Sequence, residues 1–90
     1  MEIRVKELYE KEKELVKVYE ELTRLILGKS IELFEFDEDS KEYEIVNKYN
    51  VQSVQIWEED QIAFTFGPNE WDICSIKDTD LIKINETDTL

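Results

Sequence analysis

The side chains best suited to chemistry are carboxylates that stand two positions apart in three polar segments. These pairs are Asp37/Asp39, Glu58/Asp60 and Asp78/Asp80. General acid–base catalysis by a carboxylate pair needs an apolar pocket that shifts one pKa, and these segments are hydrophilic. The chain has no histidine, so no imidazole can activate its single thiol, Cys74. The sequence therefore predicts a protein that is not an enzyme.

The sequence also lacks the pattern of a metal or cofactor site. Asp37, Asp39 and Glu42 could supply oxygen ligands, but the bend glycine and the spaced bidentate glutamate of a calcium loop are missing in register. One cysteine cannot form a cysteine-based metal site or an internal disulfide. A glycine-rich phosphate loop needs more than Gly28 and Gly67. We therefore expect no metal and no cofactor.

The net charge narrows the class of partner. The 90 residues include 23 Asp or Glu and 11 Lys or Arg, a formal net charge of -12, and 41% are hydrophobic, which is enough for a compact core. Phosphate backbones and anionic lipids are negative, so we expect a basic protein as partner and no direct binding to nucleic acid or membrane. With no secretory signal and no apolar run near the roughly 18 residues of a membrane span, we predict a cytoplasmic protein.

The first 28 residues have the pattern of one long amphipathic helix. They contain no proline and no glycine before Gly28, and apolar residues recur at alternating steps of three and four. Read as heptads, the helix has a weak seam with one charged gap. We predict a helix over residues 1–28 that either forms a homodimer through Leu8, Leu15 and Tyr19 or packs only within its own chain.

After Gly28 the pattern changes to short alternating runs. Strands are expected at residues 30–36, 42–48, 51–57, 61–66, 71–76 and 81–84. Short turn-like separators predict an antiparallel meander, one face of which packs on the helix. The residues expected on that face are Tyr43, Ile45, Val54, Ile56, Ile62, Phe64, Phe66, Trp71, Ile73, Ile82 and Ile84. A phase break after Leu33 suggests a bulge or burial on both sides of the first strand. The fold class is therefore α+β, a single domain with a frayed tail at residues 85–90.

Negative charge is concentrated in the strand-rich part. Residues 1–28 hold seven acids and six bases, a balance of -1, whereas residues 29–90 hold sixteen acids and five bases, a balance of -11. Alternate turns of a meander lie at the same end of the sheet, so the three acidic separators should lie together. We call this group the acidic end: Asp37, Glu38, Asp39, Glu42, Glu58, Glu59, Asp60, Asp78 and Asp80. Trp57 precedes one of these turns and is expected to be either an exposed interface anchor or buried against the helix end or a second sheet layer.

These features favour an inhibitor or regulator of the DNA-mimic type. DNA carries about one phosphate per 1.7 Å of duplex axis, and carboxylates on a rigid sheet can imitate that field in a basic groove. Small acidic proteins of mobile elements that block restriction or CRISPR enzymes act in this physical way. Concentrated like charge lowers stability through repulsion, and solubility needs far less net charge than this chain has. We therefore expect the acidic end and Trp57 to occupy the basic nucleic-acid-binding surface of a partner.

Two other functions stay open. The chain could be an adaptor or assembly subunit that associates through its helix, with acidity serving only solubility. It could instead be a small-ligand-binding oligomer in which Phe34, Phe36 and Trp57 line a cleft.

Overall fold

Two helices and seven strands make up the part of the chain that the computed structural model describes, residues 1–76 and 80–85. In chain order they are β1 (Glu2–Arg4), α1 (Val5–Glu12), α2 (Leu15–Ile26), β2 (Ser30–Asp37), β3 (Glu42–Asn50), β4 (Ser53–Glu58), β5 (Gln61–Gly67), β6 (Glu70–Ser75) and β7 (Leu81–Ile84). The predicted α+β class is confirmed, and all six predicted strands are present. Alternating polarity with polar separators was sufficient to locate them.

The prediction of one long N-terminal helix is wrong. Residues 2–4 form a strand, and the helical region is interrupted at Lys13, whose φ is 61°. The backbone N–H of Lys13 donates to the carbonyl of Tyr9, 2.6 Å away, and ends α1. A left-handed residue commonly ends a helix, although glycine usually occupies that position. The absence of Gly and Pro from residues 1–27 therefore did not guarantee continuity. Neither helix of the described part is both long and apolar enough to cross a lipid bilayer.

The interruption at Lys13 separates the residues that are predicted to mediate self-association. Leu8 lies in α1, whereas Leu15 and Tyr19 lie in α2, so they do not share one helical stripe. All three are partly buried and pack against the chain's own core. Association through these side chains stays a prediction, but a continuous coiled-coil seam is not what presents them.

The strands form two antiparallel sheets rather than one meander. The four-stranded sheet has the order β1-β7-β2-β3, and the three-stranded sheet has the order β4-β5-β6. The chain passes between them at Val51 and Gln52, because β3 continues to Asn50 and β4 begins at Ser53. Val51 is buried, its N–H donates to the carbonyl of Lys29, and its carbonyl accepts the N–H of Gly28, both at 2.9 Å. These bonds fasten the crossing to the end of α2.

A bulge is present in the ladder beside β2, but its extra residue lies on β3. Leu33 pairs with Asn47 and Phe34 pairs with Ile45, so Val46 is an extra residue on β3. The ladder thus contains a bulge, and the two faces of β2 are apolar in different stretches.

The core draws on α2 and on both sheets. Its members include Val18, Leu22, Ile26, Ile31, Leu33, Val54, Ile62, Phe64, Cys74 and Ile82. Three residues predicted on the covered face, Ile45, Ile56 and Trp71, are instead exposed. For Trp71 the reason is the register of β6. The buried Ile62 pairs with Cys74, so Cys74 points inward, and Trp71, which lies in the other phase of the same strand, points outward.

Asn85, the first residue of the predicted frayed tail, is hydrogen-bonded to the start of β2. The backbone N–H of Asn85 donates to the carbonyl of Ser30 at 2.9 Å, which continues the contact between the end of β7 and the start of β2. The rest of that prediction, residues 86–90, lies outside the described residues.

Candidate functional site

The described acidic turns occur at corresponding ends of the two sheets. Asp37 ends β2 and Glu42 begins β3, while Glu58 ends β4 close to the start of β5. One backbone hydrogen bond connects the β4–β5 turn to the residue after β6, and another connects the start of α1 to the residue before β7. The N–H of Ile76 donates to the carbonyl of Asp60 at 2.9 Å, and the N–H of Val5 donates to the carbonyl of Asp80 at 3.1 Å.

The acidic end is therefore spread over two neighbouring parts. Glu59 and Asp60 connect Glu58, at the end of β4, to β5. Asp80 is near this turn because its carboxylate accepts a hydrogen bond from Cys74, which pairs with Ile62 near the start of β5. The β2–β3 turn extends further, because Phe34 is the residue of β2 that pairs with Leu81 at the start of β7. The end of β2 lies three residues beyond, about 10 Å at the usual strand rise. Asp78, also predicted in this group, lies outside the described residues.

The β2–β3 turn holds its carboxylates in a defined arrangement. The backbone N–H of Asp39 donates to the Asp37 carboxylate at 2.9 Å, and this bond lowers the pKa of Asp37 below its usual range. Lys41 closes the turn with a φ of 61°, and its N–H donates to the Asp37 carbonyl at 2.8 Å. Asp37 is therefore ionised at neutral pH, with Glu38, Asp39 and Glu42 exposed around it.

A cleft of about 400 Å³ lies beside the β4–β5 turn. It is lined by Tyr9, Leu15, Glu59, Asp60 and Ile76. An apolar wall from the helices and Ile76 thus meets two carboxylates. A lysine or arginine side chain has the matching character, because its aliphatic stem packs on apolar surface while its charged head stays at the rim. Leu15, predicted as a dimer contact, is placed in this cleft.

Two tryptophan rings are in contact on the three-stranded sheet. The ring centroids of Trp57 and Trp71 are 4.8 Å apart, with their planes tilted by 35°. Both remain half exposed, Trp57 at 49% and Trp71 at 45%. Of the two alternatives for Trp57, the structure shows the exposed one, whereas Trp71 was expected in the core.

Sheet geometry explains how the two rings meet. Trp57 is the extra residue of a bulge in β4, between the pairs Ile56–Ile62 and Glu58–Gln61. Such bulges commonly change the direction of a side chain. On the central strand, Ala63 belongs to the phase opposite the buried Ile62, yet it is only 3% exposed. Its position on the face that carries the two indoles accounts for this burial.

The three-stranded sheet carries no positive charge. No Lys or Arg occurs between Lys48 and Lys77, whereas five acids do: Glu58, Glu59, Asp60, Glu70 and Asp72. In the four-stranded sheet, by contrast, the Nζ of Lys83 lies 5.0 Å from the centroid of the Phe34 ring. Both tryptophans therefore belong to a segment, residues 49–76, whose formal net charge is -5. Counting charges by sheet rather than by turn is the sequence signal that would have indicated this.

Asp72 faces inward and takes part in a small polar cluster. It accepts a hydrogen bond from Asn47 Nδ2 at 3.2 Å, which links β6 to β3. Tyr49 is buried and stacks on Phe66 with a centroid distance of 3.9 Å. Burial raises the pKa of Tyr49 above its usual range, and the negative charge of Asp72 raises it further. The Tyr49 hydroxyl has no hydrogen-bond partner within the described part of the chain.

The aromatic residues proposed to line a ligand cleft are divided between the sheets. Phe34 and Phe36 lie in β2, and Phe36 makes an edge contact with Tyr43 at 5.2 Å between centroids. Trp57 lies in β4, where its ring partner is Trp71. The structure therefore pairs each of these aromatics with a neighbour in its own sheet.

Cys74 is buried and donates through Sγ to the carboxylate of Asp80 at 3.3 Å. This bond helps to position the start of β7. Within residues 1–76 and 80–85 no group of three or more Cys, Asp and Glu side chains is arranged to hold a metal ion. Comparison of the chain with protein-family models, curated proteins and solved structures gives no match.

Proposed function

We propose that this protein is a nonenzymatic inhibitor or regulator that binds a basic, nucleic-acid-binding surface of another protein. The observation that carries the proposal is the position of Trp57: it is half exposed and immediately precedes the carboxylates of the β4–β5 turn. Aromatic anchors next to charge are typical of protein interfaces, where the aromatic slows dissociation and the charges guide encounter.

The geometry of the acidic end gives this proposal its physical basis. Its described turns are anchored by backbone hydrogen bonds, so ordering them on binding costs little additional entropy. Within residues 1–76 and 80–85, no ion pair engages Glu58 or Glu59, both of which are exposed. Their charge is therefore available to a partner.

The adaptor alternative has less support. It required one helix to present Leu8, Leu15 and Tyr19 together, whereas these residues belong to two helices and pack on the core. Its acidic surface would serve only solubility, which does not explain the exposed tryptophan pair.

The experiment compares binding of the wild-type chain with that of a variant neutralised at the acidic end. The variant carries Asp37→Asn, Glu38→Gln, Asp39→Asn, Glu58→Gln, Glu59→Gln and Asp60→Asn. Asn at position 37 can still accept the backbone hydrogen bond that closes its turn. Each immobilised chain is used to capture proteins from a bacterial lysate at low and high salt, and duplex DNA is then added as competitor.

We expect the wild type to retain nucleic-acid-binding proteins that high salt and duplex DNA both release, and we expect the variant to lose them. The matched control neutralises three exposed carboxylates in and between the helices by Glu10→Gln, Glu14→Gln and Glu20→Gln, and it should capture the same proteins. Circular dichroism establishes that each variant is folded. Capture that is unchanged by neutralising the acidic end, or that resists DNA, would refute the proposal.

A further inference from the structure

The two tryptophan rings expose a large aromatic surface that is not part of the core. Trp57 and Trp71 approach to 4.8 Å between centroids and keep about half of their surface in solvent. Exposed aromatic clusters of this kind usually mark an interaction site.

The negative charge around the tryptophan pair favours a cationic group as its binding partner. Glu58 follows Trp57, Glu70 precedes Trp71, and the whole segment from 49 to 76 has no Lys or Arg. An anionic or purely apolar partner would meet uncompensated carboxylates, whereas a cation gains from both the rings and the charges. Among cations, a guanidinium is the better match because it is planar, weakly hydrated and able to stack on an indole while bonding to a carboxylate.

The other sheet shows the same contact made within the chain. Lys83 lies over the Phe34 ring at 5.0 Å, so that aromatic already has a cation of its own chain. No such cation accompanies the indoles among residues 1–76 and 80–85. The outward face of the three-stranded sheet is therefore complementary to a positively charged side chain supplied from outside.

We infer that the Trp57–Trp71 pair is an arginine-binding site, on which an arginine of a basic protein partner stacks while Glu58, which pairs with Gln61 in the outward phase of β5, accepts its N–H groups. This inference rests on the proposed function and specifies the partner chemistry at one part of the surface. It assigns Trp71 a role in binding, together with Trp57.

The test uses two peptides of equal charge, deca-arginine and deca-lysine, each with a fluorescent label. Anisotropy gives their affinity for the wild type, for the Trp57→Leu/Trp71→Leu variant, and for a control with Val16→Ala and Ile45→Ala, which are exposed apolar positions outside the pair. Wild type should bind deca-arginine about two- to fivefold more tightly than deca-lysine, the usual gain from an exposed cation–π contact. The control should keep this preference, and the double tryptophan variant should lose it while still binding both peptides.

A second readout does not depend on the variant folding. The protein has only two tryptophans, so the indole N–H resonances of the wild type report this pair alone. Deca-arginine should shift both resonances and deca-lysine should shift them less. Equal shifts, unmoved indoles, or an arginine preference that survives in the folded double variant would overturn the inference.

The outcomes also separate this inference from the proposed function. Loss of peptide binding on neutralising the acidic end, with no arginine preference, would refute only the arginine site. Sedimentation in which the wild type is a dimer and the tryptophan variant a monomer would assign the pair to a second copy of the chain, and would likewise overturn it.

Discussion

Replacing Lys13 by glycine distinguishes the observed helix break from the continuous helix that the sequence pattern suggests. Lys13 has a φ of 61° and ends α1, so its side chain bears the steric cost of a left-handed conformation. That cost is about 1–2 kcal/mol for a non-glycine residue. Glycine removes it but gives up about 0.5–1 kcal/mol through its greater freedom in the unfolded chain. The net expectation is a gain of about 0.5–1 kcal/mol in the free energy of unfolding.

The sign of the change carries the argument. In an uninterrupted helix the same substitution would be destabilising, by about 0.7–1 kcal/mol judged by helix propensity. The matched control is Lys17→Gly, at an exposed position inside α2, where a loss of that size is expected. For a chain of this length, the predicted gain for Lys13→Gly corresponds to a rise in Tm of about 2–8 °C.

Thermal and urea unfolding followed by circular dichroism measure both variants. A rise in Tm for Lys13→Gly together with a fall for Lys17→Gly is the expected pair of results. If both variants lose stability to a similar extent, Lys13 is not in a left-handed conformation and the break between α1 and α2 is wrong.

Two further predictions concern the core. Tyr49→Phe removes a buried hydroxyl that has no hydrogen-bond partner in the described residues, so urea unfolding should show unchanged or higher stability, by up to about 1 kcal/mol. Because the pKa of Tyr49 is raised in the folded protein, the stability of the wild type should also fall as the pH rises above the ordinary tyrosine pKa near 10. This fall should be smaller in the variant. Phe64→Ala should cost about 3–5 kcal/mol because Phe64 is fully buried, whereas Ile45→Ala, at 55% exposure, should change unfolding by less than about 0.5 kcal/mol; equal losses would contradict the described core.

The positions of the strands were predictable because apolar alternation and polar separators are local signals. The division into two sheets was not, because the crossing at Val51 and Gln52 is as short as a hairpin turn and contains no glycine or proline. Which sheet a strand joins depends on contacts with α2 and on backbone bonds from distant residues such as Lys29. Those contacts leave no local pattern in the sequence.

The candidate site was predictable in part for a related reason. Alternation in β4 left exposure of Trp57 as one of two alternatives, and β6 has apolar residues in both phases, with Trp71 and Ile73 in one and Cys74 in the other. Hydrophobicity favoured the phase with the tryptophan. The actual phase is set by pairing with β5, where Cys74 lies opposite Ile62. The inward Asp72 that argued against this phase is accommodated by a hydrogen bond from Asn47.

The order of the four-stranded sheet has a consequence for folding during synthesis. β7 lies between β1 and β2, with Ile82 paired to both Ile3 and Leu33. A ribosome releases β1 first and β7 last of these strands, so β1 has no strand to pair with while the rest emerges. The three-stranded sheet, in which each strand pairs with a neighbour in sequence, can form earlier. A nascent chain would therefore complete the tryptophan-bearing sheet while the edge of β2 is still open, a state that is vulnerable to wrong strand pairing until β7 inserts.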